Sequence, residues 1–363
     1  MKILHILGEL KPSGAETMLY AAGPLLKDMD MDAEILSTGA ETGPYAGQLA
    51  NAGYVIRHIP FKKSPVFFWQ VFKLLKDNNY DVIHLHTERA NFWLGIVALL
   101  TGKRCVRTIH STFPFSGFLG WKRKWQRQLL NRLGLKHITI SQSVHDTEYK
   151  YYGLHTTIIP NWYNSLRFRF TTPQQRIQAK ADLNIAADSF VLLTIGNCSP
   201  IKNHTALINA LALMMPQNWV YLHVGIEKDS IERDLAAEFG ISDKIRFYGL
   251  QTDILPFLQS SDLYVMPSTH EGCPISVMEA MAAGLPVLMT NVPGLIDFKS
   301  IFNDLVYCEQ NAEAIAAALT EIILTDSEKL RQPCAENSKI AEQRFGILRG
   351  LTHYLEHYKN AAG

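Results

Sequence analysis

A strand, a loop and a helix are predicted around residues 268–294, which read STHEGCPISVMEAMAAGLPVLMTNVPG. The strand before them ends at Pro267, and Pro274 suits the first position of the helix, where its missing N–H costs nothing. The helix is expected to end near Ala283, because Gly284 and the proline after it stop the helix before a new strand begins. This order of elements is typical of a parallel α/β sheet.

The start of this helix has the character of an anion site. The free N–H groups of Ile275, Ser276 and Val277 are expected to point out of the helix start, where the helix dipole adds to their attraction for an anion. Gly272 lets the loop backbone come close to a ligand. Glu279, about a turn and a half into the helix, could accept two hydrogen bonds from ribose hydroxyls. The segment therefore suits a sugar diphosphate.

The rest of the chain repeats the alternation of short apolar runs with helical segments. The runs lie at residues 3–7, 33–38, 55–59, 81–86, 104–110, 137–141 and 156–161, and then at 191–196, 220–225, 244–249, 263–268, 286–290 and 305–308. Nearly continuous β-branched runs indicate strands that are buried on both faces. Helices between them predict parallel sheets with helices on both faces.

A polar, turn-rich segment interrupts the alternation near the middle of the chain and marks a linker. We expect an N-terminal domain over residues 1–165 and a C-terminal domain over 166–345. Both are predicted to be Rossmann-like and doubly wound, with ligands bound at the carboxyl ends of the strands. A cleft between the domains is the expected site.

Composition agrees with two soluble domains. The 363 residues exceed the roughly 250–300 at which a single core stops growing. The net charge of +1 excludes a strong general attraction to nucleic acid. Five cysteines without a CxxC pair are typical of free thiols in a reducing compartment. No apolar run approaches the ~20 residues of a membrane span, so a cytoplasmic protein is expected.

The spacing of two glutamates resembles a known family signature. Glu271 and Glu279 form an E-x7-E motif that continues into AMAAGLPV. This string resembles the retaining glycosyltransferases of family 4, which have the GT-B fold of two Rossmann-like domains. The resemblance implies transfer of a hexose-type sugar from a UDP- or GDP-sugar, with Glu271 at the sugar and Glu279 at the ribose. It implies no metal and no cofactor besides this nucleotide-sugar co-substrate.

A second motif follows the strand at residues 191–196. Lys202 matches the lysine of the G-R-x-x-x-x-K-[GN] pattern, which in the family neutralises the donor phosphates. Asn197 stands where the family pattern has arginine. This departure leaves one cation fewer beside a leaving group whose negative charge grows during the reaction.

The N-terminal half also resembles the family. Ser13 and Gly14 lie in a loop similar to its GG-x-E loop, which meets the donor phosphate and the acceptor. His86 and His110 each follow a predicted strand, and His110 is expected nearest the reacting centre. The last helix, within residues 346–363, is expected to pack on the N-terminal domain, as it does in the family.

The resemblance thus implies three sets of site residues. The expected catalytic residues are His110, Lys202 and Glu271. The expected acceptor site comprises Ser13, Gly14, His86 and His110. The expected donor site comprises Gly14, Asn197, Lys202, Glu271, Gly272, Cys273, Pro274, Ile275, Ser276, Val277 and Glu279.

A basic, aromatic segment at residues 121–132 suggests how an acceptor is reached. Such a helix can lie on an anionic membrane surface, which would place the protein peripherally at the inner face of the membrane and suit a lipid-linked or cell-surface glycan acceptor. An ordinary solvated helix is the alternative. Asp28, Asp30 and Asp32 alternate like a metal motif but fall at the wrong edge of the predicted sheet.

Other functions stay open on the sequence alone. A nucleotide-sugar epimerase or a glycosyl phosphorylase would have the same fold. A non-catalytic sugar-nucleotide binding protein would explain the missing arginine at position 197. A dehydrogenase is disfavoured because no G-x-G-x-x-G fingerprint occurs.

Overall fold

The chain forms two compact units. A computed structural model describes residues 1–112, 115–214, 218–227, 229–325 and 327–360. The first unit comprises Met1–Asn164 and Ile347–Gly363, and the second comprises Ser165–Gly346. Each unit has its own parallel sheet with helices on both faces, so the prediction of two doubly wound domains is confirmed.

The first unit contains a seven-stranded sheet in the order β3-β2-β1-β4-β5-β6-β7. Its strands are Lys2–Leu7 (β1), Asp32–Ser37 (β2), Val55–His58 (β3), Val82–Leu85 (β4), Arg104–Ile109 (β5), Lys136–Thr139 (β6) and Thr157–Ile158 (β7). Its helices before the linker are Gly14–Ala22 (α1), Ala46–Asn51 (α2), Pro65–Asp77 (α3), Asn91–Leu100 (α4), Gly117–Arg132 (α5) and Gln142–Tyr152 (α6).

The second unit contains a six-stranded sheet in the order β10-β9-β8-β11-β12-β13. Its strands are Phe190–Ile195 (β8), Trp219–Val224 (β9), Ile245–Phe247 (β10), Leu263–Met266 (β11), Val287–Thr290 (β12) and Val306–Cys308 (β13). Its helices are Pro173–Asp182 (α7), His204–Leu213 (α8), Ile231–Glu238 (α9), Leu255–Ser260 (α10), Ile275–Ala282 (α11), Ala312–Leu324 (α12), Ser327–Arg331 (α13) and Cys334–Phe345 (α14).

Alternation along the strands of the first unit separates an apolar face from a polar one. Leu4 and Ile6 of β1 and Ile83 of β4 join a buried cluster with α3, α4 and α5. Side chains of a strand point to opposite faces in turn, so His5 and His84, which are paired in register, lie on the other face. That face carries the histidines of the candidate site.

The last helix of the chain, Ile347–Asn360 (α15), returns to the first unit. Two tyrosines of this helix, Tyr354 and Tyr358, are buried against the polar face of the sheet. The Tyr358 hydroxyl lies 2.6 Å from Nδ1 of His84, and the Tyr354 hydroxyl lies 3.1 Å from the hydroxyl of Thr108. This helix therefore covers the strands that precede His86 and His110.

Every apolar run predicted as a strand contains one, but two details differ. The run at residues 156–161 forms only the two-residue strand β7. The prediction that Pro274 is the first helical residue is wrong. Its extended backbone, with ψ 123°, makes it the N-cap, and the helix begins at Ile275.

Candidate functional site

The start of α11 has free backbone donors at the carboxyl edge of the second sheet. Pro274 precedes Ile275 in extended conformation, so the first N–H groups of the helix have no carbonyl partner within it. The side chain of Ser276 is already engaged, because the Tyr264 hydroxyl donates to its Oγ over 2.8 Å. Backbone rather than side-chain groups at this helix start are therefore available to donate to an anion.

A lysine and a glutamate meet in front of this helix. Nζ of Lys202 lies 2.7 Å from Oε1 of Glu271, and Ser268 donates to the same oxygen over 2.6 Å. The two side chains are 26% and 11% exposed, so both stay in reach of a ligand. The backbone of Gly294 packs closely against the loop that carries Glu271. Gly294 has a φ of 84°, and a Cβ there would lie 2.2 Å from the Glu271 carbonyl oxygen.

Hydrogen bonds join the loops that carry these two residues. The N–H of Thr269 donates to the Ile201 carbonyl over 2.8 Å. Asn203, which has a left-handed backbone with a φ of 55°, donates to the Pro267 carbonyl over 3.1 Å. The loops after β8 and β11 therefore form one structure, which explains why residues far apart in sequence meet at Lys202 and Glu271.

Asn197 has a structural role. Its Oδ1 accepts a hydrogen bond from the N–H of Ile226 over 2.8 Å, which joins the loop after β8 to the loop after β9. A neutral side chain at this position leaves Lys202 as the cation paired with Glu271. The cationic side chain that sequence reasoning missed is Arg167, whose charge acts on the Glu279 carboxyl.

Glu279 is a titratable group of the second unit whose pKa is strongly shifted. It is 5% exposed, and within the described ranges its carboxyl group has no hydrogen-bond partner. Burial raises the pKa of Glu279 to about 8, and the charge of Arg167 opposes the rise. A buried carboxyl group without a partner is costly, which is a signature of a functional position. Arg167 itself forms an ion pair with Asp253 at 2.6 Å.

Except for Gly14, the remaining donor-site predictions fall on the same loop and helix. Gly272 and Cys273 lie between Glu271 and the helix start, and Cys273 is buried. Val277 is fully buried, so its side chain cannot meet a ligand. Gly14 lies in the first unit, where it begins α1.

The first unit contains a row of histidines that sequence reasoning found only in part. Nδ1 of His5 lies 3.0 Å from Nε2 of His86, and Nδ1 of His86 lies 3.1 Å from Nε2 of His110. His5 was not predicted as a site residue. The sequence signal that could have found it is the alternation along β1, which puts His5 on the same face of the sheet as its neighbour His84. Among the described residues, no hydrogen bond joins Ser13 or Gly14 to this row.

Three imidazole rings of the first unit lie close enough together to be candidate metal ligands. Nitrogens of His5, His84 and His86 lie within 4.8 Å of one another. Both nitrogens of His84 are engaged, however, with the hydroxyls of Tyr358 and Thr108 at 2.6 and 2.7 Å. Since a ligand nitrogen needs a free lone pair, the group fits a hydrogen-bonded histidine row better than a metal centre.

Helix α5 presents aromatic rings to the solvent, but fewer cations than expected. Phe118, Trp121 and Trp125 are 77%, 64% and 53% exposed. Arg127, predicted as part of a basic face, is buried against Glu148 at 2.9 Å and is therefore not a surface charge. No helix in the described parts of the chain has the length and apolar character needed to cross a bilayer.

Both units match models of known glycosyltransferase families. Residues 12–165 match the model described as Glycosyltransferase Family 4, and residues 175–341 match Glycosyl transferases group 1. An Escherichia coli UDP-Gal:alpha-D-GlcNAc-diphosphoundecaprenol alpha-1,3-galactosyltransferase is 26% identical, over 81% of this chain and 80% of that protein.

Solved structures share the fold. Anabaena HepE in complex with UDP and glucose superimposes with a TM-score of 0.83 at 20% identity, over 99% of this chain and 100% of that chain. A glycosyltransferase from Rickettsia africae gives 0.82 at 22% identity, over 99% and 98%. The fold is therefore GT-B.

Proposed function

The chain is a glycosyltransferase of the family 4 type, and we propose that it transfers a hexose from a UDP- or GDP-sugar with retention of configuration. The observation that carries the proposal is Glu279, a buried carboxyl group without a partner among the described residues, beside a helix start that offers free N–H groups. Two adjacent ribose hydroxyls would supply the partners that Glu279 lacks.

The donor would lie along the loop and helix that contain Glu271 and Glu279. Its diphosphate would accept hydrogen bonds from the N–H groups at the start of α11, with Lys202 as the neighbouring cation. Glu271 would orient the sugar hydroxyls. The crystal structure of HepE contains UDP and glucose, which supports uridine as the base here.

Retention follows if the acceptor attacks the face that the diphosphate leaves. A bond forms between the acceptor oxygen and C1 of the sugar, and the bond from C1 to the phosphate oxygen breaks. The acceptor proton passes to that phosphate oxygen, so the step needs no dedicated protein base. Lys202 would stabilise the negative charge that grows on the diphosphate, in a reaction that requires no metal ion.

A lipid-linked acceptor is supported by two observations. The name of the Escherichia coli relative contains a diphosphoundecaprenol-linked sugar. The exposed rings of Phe118, Trp121 and Trp125 on α5 provide apolar anchors next to the exposed Lys122 and Lys124. Aromatic rings with nearby cations suit the surface of an anionic bilayer, so α5 would bring the enzyme to a lipid-linked sugar.

Product stereochemistry tests the proposal. The full-length protein would be incubated with UDP- and GDP-hexoses and a polyprenyl-diphosphate-linked acceptor, in excess chelator. The anomeric configuration of the transferred sugar would be read from its NMR coupling constant. Retention in chelator supports the proposal, while an inverted product or an absolute requirement for a divalent metal contradicts it.

Vesicle binding tests the membrane surface separately. Binding to phosphatidylglycerol vesicles is expected to exceed binding to phosphatidylcholine vesicles and to weaken as salt increases. The double variant Trp121→Ser, Trp125→Ser should lose binding. Ile177→Ser, which changes an exposed apolar residue of the second unit, is the control and should not. Equal binding by both variants would contradict this surface.

A further inference from the structure

Three imidazole rings form a continuous hydrogen-bonded row across neighbouring strands of the first unit. His5 lies within β1, His86 follows β4 and His110 follows β5. The two nitrogen–nitrogen distances are 3.0 and 3.1 Å. Successive ring centroids lie 5.2 and 5.4 Å apart, with angles of 37° and 26° between the ring planes, so the rings meet edge to edge through their nitrogens and not face to face.

Burial keeps these rings neutral. It lowers the pKa of His5 to about 3 and that of His110 to about 4, and it lowers the pKa of His86 well below its usual value. The charge of Arg107 adds to the effect at His110. Near neutral pH each ring therefore holds one proton and one free lone pair.

The geometry of the row restricts where those protons can be. Each link joins an Nδ1 to an Nε2, and each needs one N–H and one lone pair. If Nδ1 of His5 donates, then His86 donates from Nδ1 and His110 carries its proton on Nδ1. If Nε2 of His110 donates instead, all three rings carry their protons on Nε2. The three histidines must therefore share one tautomer.

His84 supports the row without belonging to it. Its two nitrogens are taken by Thr108 and Tyr358, and its ring stacks on His86 with 4.0 Å between centroids. The ring of His84 thus packs against one face of the His86 ring, while the two nitrogens of His86 contact His5 and His110. At the far end, Nδ1 of His110 has no hydrogen-bond partner among the described residues.

We propose that His5 and His86 are positioning residues for His110, and that the row makes the tautomer of His110 follow that of His5 and His86. The free Nδ1 of His110 is then committed to one role toward a sugar hydroxyl, as a donor or as an acceptor. His5 controls that role from two strands away without touching the substrate. The importance of this role for catalysis rests on the proposed function, whereas the shared tautomer does not.

Imidazole nitrogen NMR tests the shared tautomer without substrate. Long-range proton–nitrogen spectra of the full-length protein distinguish an Nδ1–H ring from an Nε2–H ring, and single variants assign the signals. His5, His86 and His110 are expected to show the same tautomer near neutral pH. A mixed set, or rapid averaging of both tautomers at His110, overturns the inference.

A pair of variants tests the effect on catalysis. His5→Leu removes the first link and should lower kcat roughly 10- to 100-fold with little change in donor KM, as is typical when a group that orients a functional histidine is lost. His5→Asn places an amide where Nδ1 was, so it should recover much of kcat. The exposed His155 is the control, and His155→Leu should leave kcat and the His110 spectrum unchanged.

The outcomes separate the two proposals. An unchanged kcat in His5→Leu, or equal losses in His5→Leu and His5→Asn, overturns the positioning role. Circular dichroism and the thermal unfolding of the full-length protein check that each variant is folded. If the wild-type protein transfers no sugar, the proposed function fails, while the NMR result still decides whether the row shares one tautomer.

Discussion

At the scale of single residues, Glu279 determines how the donor site should respond to pH. Its carboxyl group is protonated below about pH 8, because burial without a hydrogen-bond partner among the described residues disfavours the charge. Two ribose hydroxyls donating to it would favour the carboxylate. Binding of a nucleoside diphosphate should therefore be coupled to release of a proton from this group.

UDP affinity is expected to rise between pH 7 and pH 9 and to level off above the pKa of Glu279, which is about 8. The sign follows because a higher pH removes the proton that competes with the ribose hydroxyls. Isothermal titration at several pH values measures the effect. Glu279→Gln should bind more weakly and show a flat profile. A wild-type affinity that falls with pH would rule out this role.

Lys202 should affect the chemical step more than donor binding. Lys202→Met is expected to lower kcat by about 100-fold, since it removes a cation from the leaving diphosphate. The exposed Lys339 of α14 supplies the control, and Lys339→Met should keep wild-type kcat. Steady-state kinetics on both variants measures the difference. A Lys202 variant with normal kcat would remove this residue from the mechanism.

Part of this residue-level picture was predictable. The motifs predicted that Lys202 and Glu271 lie close together, because loops at the carboxyl edge of a parallel sheet converge, and their side chains meet at 2.7 Å. The donor site that they would share with Glu279 stays a prediction. The structural bond of Asn197 to Ile226 and the influence of Arg167 on Glu279 were not predictable. Both depend on how distant loops pack, which no local pattern records.

At the scale of elements, the position of Glu271 depends on a glycine in the next loop. Gly294 has a φ of 84°, and a Cβ there would lie 2.2 Å from the Glu271 carbonyl oxygen and 2.8 Å from that of Gly272. Backbone atoms cannot yield as a flexible side chain can. The loop after β12 therefore fixes the loop that carries the first glutamate of the motif.

Gly294→Ala should both destabilise the protein and impair transfer. Gly240→Ala is a matched control, because Gly240 also has a left-handed φ of 67° but an added Cβ would meet nothing within 4 Å. Both substitutions incur the left-handed penalty of about 1–2 kcal/mol for a residue with a Cβ. Thermal unfolding and kcat should show a further loss only at Gly294. Equal effects at both positions would contradict the close contact.

Strands were easier to predict than the contacts of helices. Continuous apolar runs identified the strands because burial on both faces leaves a local pattern. Helix α15 was expected in the N-terminal domain only by resemblance, and its contact between Tyr358 and His84 spans 274 residues of sequence. Of the histidine row, His86 and His110 were predicted as site residues but His5 was not. His5 lies inside an apolar strand, whose pattern indicates a buried core.

At the scale of the whole molecule, the family, the GT-B fold and glycosyl transfer were predicted correctly. The signal was specific because one string carried a strand, a phosphate-type helix start and two spaced carboxylates. Composition argues against a strong general attraction to nucleic acid, but it could not name a sugar. The identity of the donor base and the retaining outcome stay predictions, because they depend on contacts made only by bound substrate.

Nucleotide binding to the full-length protein tests the central claim most directly. Thermal stability would be measured with UDP, GDP, ADP, CMP and NAD in excess chelator, for the wild type and for Glu279→Ala. A ligand at about 100 times its dissociation constant adds roughly 2.7 kcal/mol of stability. We expect UDP or GDP alone to stabilise the wild type and to lose that effect in Glu279→Ala. Stabilisation by NAD alone, or an undiminished effect in Glu279→Ala, would contradict the donor site.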